Sequence, residues 1–256
     1  MTNSFMRHHS VPYCRIILYS GLFILSILSL TSCKNELKLG PLAAYYFTPD
    51  SMGGARVYRY KSTLDSAMSD EFRLLKPGKN GTVQAVIYDE SGQPLQWYEE
   101  QQTPSGVVMN TLFLRVGMVG NKILSSKANI LYDDIFPFDA QLNGIFLYRV
   151  KWNGAGGDSL KYELIRNRIY NGDTTIQYHG KKMPAIVFRV RDLIETEQKG
   201  ILALESKGIE VYGLHTGLVY YQKKINDKTE IAFELEEIIS PDSIKNVKFT
   251  SLWDSL

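Results

Sequence analysis

Apolar and polar residues alternate with a period of two beyond residue 45, and this pattern constrains the fold more than any other feature. From Phe146 to Trp152, for example, every second residue is large and apolar, and Arg149 and Lys151 lie between them. Successive side chains of a β-strand point to opposite faces, so one face lies on a core and the other lies partly in water. The same segments are rich in Val, Ile, Tyr and Phe, which strands favour. The pattern therefore predicts an all-β fold.

Turn signals separate these segments at the spacing of hairpins. Gly-containing turns occur at residues 89–92 and 103–106, and Asn171-Gly172 is a dipeptide typical of a tight hairpin turn. We therefore predict roughly ten to twelve strands between residues 56 and 239, joined as a large antiparallel meander.

Signals for helices are weak. Residues 132–142 contain Pro137 and predict a loop or a single helical turn. Residues 194–207 have a composition that helices tolerate, but Gly200 interrupts them, so their structure stays open. No linker rich in Pro, Gly or Ser divides residues 45–256, which we interpret as one β-dominated domain with at most one or two short helices.

The first 33 residues have the pattern of an export signal. A basic segment without acidic residues precedes an apolar run of 15 residues, from Ile16 to Leu30. A bilayer core needs about 20 apolar residues, so this run is short for a permanent span and fits a secretory signal. The sequence that follows, Leu30-Thr31-Ser32-Cys33, resembles the lipobox of bacterial lipoproteins.

The lipobox resemblance implies that the Cys33 sulfur carries diacylglycerol and that cleavage occurs before Cys33. Residues 1–32 would then be the signal peptide, and 33–44 a lipidated tether that makes the membrane a partner of the protein. Lys34 stands where Asp would retain many lipoproteins in the inner membrane, so the resemblance favours the outer membrane, on either its periplasmic or its outer side. The alternative is an uncleaved anchor helix with an incidental cysteine.

The net charge of the chain argues against nucleic acid as a partner. The chain has a formal net charge of +2, and removal of the signal would leave basic and acidic residues equal in number. Nucleic-acid binding depends on a basic excess, so we expect no nucleic-acid partner.

A second resemblance concerns the predicted β domain, residues 45–256. Residues 209–225 contain Tyr212, Gly217, Leu218 and Val219 at matching positions of a strand–Gly–strand stretch. This stretch is similar to that of uncharacterised periplasmic half-barrel proteins, which are similar in turn to the lipoprotein carrier and receptor proteins. The resemblance implies a curved, half-barrel-like antiparallel sheet closed by a short helical lid.

Motifs for catalysis or metal binding are weak. His179 and His215, the two histidines beyond the signal, lack the spacing of a zinc site and suit surface turns. Asp133, Asp134 and Asp139 could serve acid–base chemistry or bind a hard cation, but aspartate is also an ordinary loop residue. We therefore expect no enzyme, no catalytic residue, no metal and no cofactor.

Aromatic residues are abundant and give the candidate binding site. The functional interpretation is a ligand groove on the sheet, and the alternative is an ordinary β core. In the pairs Trp97-Tyr98 and Tyr220-Tyr221 the two rings must point to opposite faces of the sheet. One ring of each pair is therefore expected to be exposed or to be covered by a lid or a partner. The predicted groove residues are Trp97, Tyr148, Trp152, Tyr162 and Tyr220.

These features favour a lipid-anchored cell-envelope protein that binds an apolar ligand or an envelope protein partner without catalysis. One alternative is a structural or accessory subunit of an outer-membrane complex with no small-molecule site. Another is a hydrolase of envelope glycans, which needs two close carboxylates or a His–carboxylate pair in a cleft.

Overall fold

The alternating segments form β-strands of one antiparallel sheet in a computed structural model of the chain. The structure describes residues 39–47, 53–64, 68–120, 122–140, 144–155, 157–197 and 201–243. All of these residues belong to one unit, 38–256. The strands are β1 (Arg56–Ser62), β2 (Glu71–Pro77), β3 (Thr82–Tyr88), β4 (Pro94–Gln102), β5 (Gly106–Val119), β6 (Lys122–Lys127), β7 (Asn129–Pro137), β8 (Ile145–Gly154), β9 (Gly157–Tyr178), β10 (Lys181–Glu197), β11 (Ile201–Gly213), β12 (Gly217–Lys224) and β13 (Glu230–Ile239).

The sheet closes on itself. Its order is β4-β3-β2-β1-β13-β12-β11-β10-β9-β8-β7-β5-β6, and β4 also pairs with β5. Strand β5 therefore completes a ring of twelve strands, and β6 pairs with its far half outside the ring. The predicted all-β antiparallel meander is confirmed. The closure goes beyond the half-barrel of the resemblance because β5 is long enough to pair with β4 on one edge and with β7 and β6 on the other.

The structure differs from several of the local predictions. Strand β7 covers residues 132–137 of the segment 132–142, where we predicted a loop or helical turn, and Pro137 is its last residue. In the open segment 194–207, residues 194–197 belong to β10 and residues 201–207 belong to β11. Asn171-Gly172 makes no hairpin: it lies within β9, where the register opposite β10 shifts and Gly172 has a φ of +110°. A glycine in the left-handed region inside a strand is typical of a bulge.

Helices are short in the part of the chain that the structure describes. Two 3₁₀ helices occur there, η1 (Pro41–Tyr45) and η2 (Pro241–Ser243), and none of its helices is long and apolar enough to cross a membrane. The last predicted segment, 240–256, lies outside the described residues beyond Ser243.

Residues 39–47, which we call the plug, fill one end of the closed sheet. Leu42 and Ala43 are each 6% exposed. The backbone N–H of Leu42 donates to the Phe138 carbonyl at 3.0 Å, and that of His215 donates to the Ala44 carbonyl at 2.7 Å. The plug therefore contains the last residues of the segment that we assigned to the tether, and it begins several residues before position 45.

Aromatic side chains pack beneath the plug and form part of the core. Tyr46 of the plug contacts Phe136 with ring centroids 4.6 Å apart, and Phe136 lies 4.9 Å from Tyr212 and 5.4 Å from Phe188. Such tilted and edge-to-face pairs add to the free energy that their burial contributes. The plug end of the sheet is thus sealed by a packed aromatic layer.

Candidate functional site

A cavity of about 330 Å³ lies inside the closed sheet, on the other side of the aromatic layer from the bulk of the plug. Its size is at the lower limit for ligand pockets, which usually span about 300–1,000 Å³. The inward side chains at the end opposite the plug are only partly buried, so this end is the mouth. The apolar residues that line the mouth include Ile87, Leu114, Trp152, Leu164 and Ile231.

Three of the five predicted groove residues meet at this cavity. Tyr148 and Trp152 line it, and Tyr162 stacks on Trp152 with centroids 5.3 Å apart and planes 13° from parallel. The orientation predicted for β8 is confirmed, since Tyr148 is buried while Arg149 and Lys151 both pair with Glu163 away from the interior.

Trp97 and Tyr220 do not line the cavity. Trp97 points away from it, because its neighbours Gln96 and Tyr98 both face inward, and it packs on Phe113 at 5.0 Å. Tyr220 packs at the edge of the core, and Tyr221 lines the cavity instead. In each adjacent aromatic pair, the residue that lines the cavity is therefore the one that we did not predict, Tyr98 or Tyr221.

The remaining candidates lie elsewhere. Cys33 is outside the described residues. His179 and His215 occupy left-handed backbone positions with φ of 46° and 57°. Burial raises the pKa of Asp134, and the charge of the neighbouring Asp133 raises it further. In the described part of the chain no group of three His, Cys, Asp or Glu side chains is placed to hold a metal ion.

The cavity wall contains ionised groups that the sequence analysis did not single out. Asp192 on β10 is 2% exposed and lies between Arg166 and Lys223. Its Oδ1 accepts from Arg166 Nε at 2.7 Å, and its Oδ2 accepts from Arg166 Nη2 at 2.8 Å and from Lys223 Nζ at 2.6 Å. Burial opposes ionisation, but the two cations outweigh it and hold the pKa of Asp192 well below its usual range.

A second ion pair lies deeper in the cavity. Arg168 donates from Nε to Glu210 Oε2 at 2.7 Å and from Nη2 to Oε1 at 3.3 Å, and the Tyr212 hydroxyl donates to Oε2 at 2.9 Å. Burial opposes ionisation of Glu210, but Arg168 and Arg166 lower its pKa to about 2. The pair is therefore fully charged at neutral pH.

Glu100 has a different environment. It is 5% exposed, and its Oε2 accepts a hydrogen bond from the hydroxyl of Tyr46, in the plug, at 2.9 Å. Burial raises its pKa to about 7, against the smaller opposite effects of the Tyr46 hydrogen bond and the Arg168 and Arg73 charges. The structure thus places this carboxyl in the interior of the closed sheet. A carboxyl with such a pKa exchanges protons readily at neutral pH.

Arg73 completes the ionic lining. Its guanidinium carbon lies 4.7 Å from the Tyr60 ring centroid and 5.2 Å from that of Tyr221, within the range of cation–π contacts. Its Nε donates to Glu71 Oε1 at 2.6 Å, and the Tyr221 hydroxyl donates to Glu71 Oε2 at 3.2 Å. This arginine is thus held between two rings and one carboxylate.

The comparison with known proteins gives two distant structural neighbours. No family profile matches the chain, and no curated protein matches its sequence significantly. A presumed lipoprotein from Parabacteroides distasonis ATCC 8503 is 13% identical, with a TM-score of 0.47 over 76% of this chain and 98% of its own. A presumed exported protein with a YmcC-like fold from Bacteroides fragilis NCTC 9343 is 12% identical, with a TM-score of 0.46 over 73% of this chain and 96% of its own. Both neighbours are thus described as lipoprotein or exported proteins, and a likeness this distant carries no functional argument for this chain.

Proposed function

We propose that this chain is a lipid-anchored cell-envelope protein that binds an apolar ligand inside its closed sheet and catalyses no reaction. The observation that carries the proposal is the cavity of about 330 Å³, closed at one end by the plug and lined by aliphatic and aromatic side chains at the other. A well-formed concave site with an apolar lining and a few polar groups is the usual form of a ligand site.

The pairing of the interior carboxylates supports binding over glycan hydrolysis. Glu71, Asp192 and Glu210 each accept hydrogen bonds from an arginine. Among the interior carboxyl groups that the structure describes, Glu100 is the one outside these ion pairs. It accepts a hydrogen bond from the Tyr46 hydroxyl. A retaining glycosidase needs two available carboxylates about 5 Å apart. An interior whose other carboxylates are already bound to arginines suits recognition better.

The anchor is tested at Cys33, which the lipobox resemblance makes the lipid attachment site. Cys33→Ser removes the sulfur, so we expect an uncleaved precursor and loss of label after growth with an alkynyl fatty acid. Cys14→Ser, within the signal, should label as the wild type does. Equal labelling of the wild type and the Cys33 variant would contradict the lipoprotein assignment.

The binding site is tested with the neutral fluorescent probe N-phenylnaphthylamine. Trp152→Ala opens the mouth and removes the stacked partner of Tyr162, so we expect the probe affinity to fall about tenfold, the effect of roughly 1.4 kcal/mol. The free energy of unfolding should fall by about 1 kcal/mol or less, because the ring is partly exposed already. Both quantities are measurable by fluorescence titration and urea denaturation.

Trp97→Ala is the matched control, because this second tryptophan is also partly buried against an aromatic ring but lies outside the cavity. It should leave probe affinity unchanged. A wild-type protein that does not bind the probe would favour the structural-subunit alternative. A Trp152 variant that loses 3–5 kcal/mol of stability but binds normally would assign Trp152 to the core.

A further inference from the structure

Arg168 has one guanidinium nitrogen without a hydrogen-bond partner. The residue is 6% exposed and lines the cavity. Glu210 occupies Nε and Nη2, whereas Nη1 is buried and contacts no acceptor among the described residues. A buried donor of a charged group is costly to leave unsatisfied, and such groups in native proteins need an explanation.

The neighbouring side chains do not supply the missing acceptor. Tyr212 directs its hydroxyl hydrogen to Glu210, and Tyr46 directs its own to Glu100. Arg166, which binds Asp192, also places its Nη1 3.8 Å from Glu210 Oε1 and is a second cation beside this pair. The deep part of the cavity therefore has an unused N–H donor beside a second cation.

The charges of the lining are balanced while Glu100 is ionised. Four basic and four acidic side chains face the cavity, because Lys207, which also borders it, is 74% exposed and pairs with Glu205 at 3.3 Å. Protonation of Glu100, whose pKa burial raises to about 7, leaves one positive charge in excess. A positive excess in a low-dielectric enclosure favours an anion over a neutral or cationic group.

Another part of the wall is apolar. Strands β5 and β8 contribute Met109, Leu112, Leu114, Val150 and Trp152 to the lining. Along β9 the inward positions run from Arg168 through Arg166 to Leu164, and a strand rises about 3.3 Å per residue, so Leu164 at the mouth lies about 13 Å from Arg168. The cavity thus has an unused N–H donor of Arg168 at its deep end and an apolar path to the mouth.

We propose that the ligand is an amphiphile with one carboxylate or phosphate group, which binds Nη1 of Arg168, and an apolar chain, which extends past Leu164 to Trp152. The proposal rests on the proposed function and names the chemical class of the ligand. The anionic group satisfies the unpaired donor of Arg168 beside the second cation, Arg166, and the chain covers the apolar wall.

The wild-type protein gives the first test, which depends on no variant. Decanoate, decyl phosphate, decanol and decyltrimethylammonium are each titrated against bound N-phenylnaphthylamine. We expect decanoate or decyl phosphate to compete at least about tenfold better than decanol, as a hydrogen bond to a charged group allows, and the cation to compete worst. The better of the two anions identifies the carboxylate or the phosphate as the source. Equal competition by decanol and both anions would overturn the proposal and leave the proposed function standing, whereas failure of the probe itself to bind would contradict the proposed function.

A charge-pair variant gives the second test. Arg168→Met alone would leave Glu210 buried and unpaired, so the variant combines Arg168→Met with Glu210→Gln and removes both charges. It should retain the probe and lose the preference for the anions. The control combines Arg149→Met with Glu163→Gln, which removes an ion pair of the same type between β8 and β9 on the side away from the cavity. An unchanged preference for anions in the Arg168 variant would overturn the assignment to this residue.

Discussion

Asp192→Ala is expected to lower the free energy of unfolding by about 3–5 kcal/mol, which is the usual effect of breaking a buried ion pair by removing one partner. Asp192 is 2% exposed and accepts hydrogen bonds from both Arg166 and Lys223. Without its carboxylate the two cations repel each other in the interior. Urea denaturation at neutral pH measures the loss.

The control for this substitution is Glu205→Ala, which breaks the exposed ion pairs of Glu205 with Arg191 and Lys207 on neighbouring positions of β10 and β11. Exposed pairs contribute little, so its stability should stay close to that of the wild type. The pKa of Asp192 is lowered in the folded state, so its contribution is present above its usual pKa of 3.8 and is lost as the pH falls toward the folded value. Equal losses in the two variants would contradict the buried ion-pair network.

Glu100→Gln is expected to have the opposite effect, a gain in stability that grows with pH. The pKa of Glu100 is raised from 4.5 to about 7 in the folded protein, so the folded state favours the protonated form. The contribution of this group is complete below pH 4.5 and is lost as the pH rises through about 7. The shift of about 2.5 units corresponds to about 3 kcal/mol. Glutamine mimics the protonated carboxyl, so the variant should match the wild type at about pH 4 and exceed it by about 3 kcal/mol above pH 8.

Urea denaturation across this range measures the difference. Glu99→Gln removes a charge at the next position of β4, which points away from the cavity and accepts from Gln84 at 3.1 Å, and controls for the substitution itself. If the stabilities of the wild type and Glu100→Gln ran parallel from pH 5 to about pH 8, Glu100 would have an ordinary pKa and would not be enclosed as the structure has it.

The period of two was sufficient to predict the strands, because it reflects the local geometry of an extended chain. Closure was not predictable, because it depends on pairings between distant segments. At Gly106, for example, a Cβ atom would come within 2.3 Å of the Phe136 carbonyl oxygen, so the absence of a side chain lets β5 and β7 approach. In the sequence this glycine is indistinguishable from an ordinary turn residue after Pro104 and Ser105.

The site was predictable only in part, and the reason is the same on every strand. Alternation identifies two faces but does not say which face lies inside, so Tyr98 and Tyr221 were passed over for their neighbours. On β9 the apolar residues Ile165 and Ile169 alternate with Arg166 and Arg168, so hydrophobicity alone would turn the arginines outward. Their inward direction depends on partners such as Asp192, which lie on other strands.

If Cys33 carries a lipid, the position of the plug would restrict how the molecule stands on a membrane. Six peptide units separate Cys33 from Leu39, and a fully extended chain covers at most about 3.6 Å per residue, so a lipid on Cys33 would hold the plug within about 20 Å of the bilayer surface. The sealed end would then face the lipid headgroups, and the mouth at Trp152 would face away from them. In this orientation an amphiphile could not slide from the anchoring leaflet straight into the cavity. It would cross water first, or arrive from a carrier or membrane on the far side.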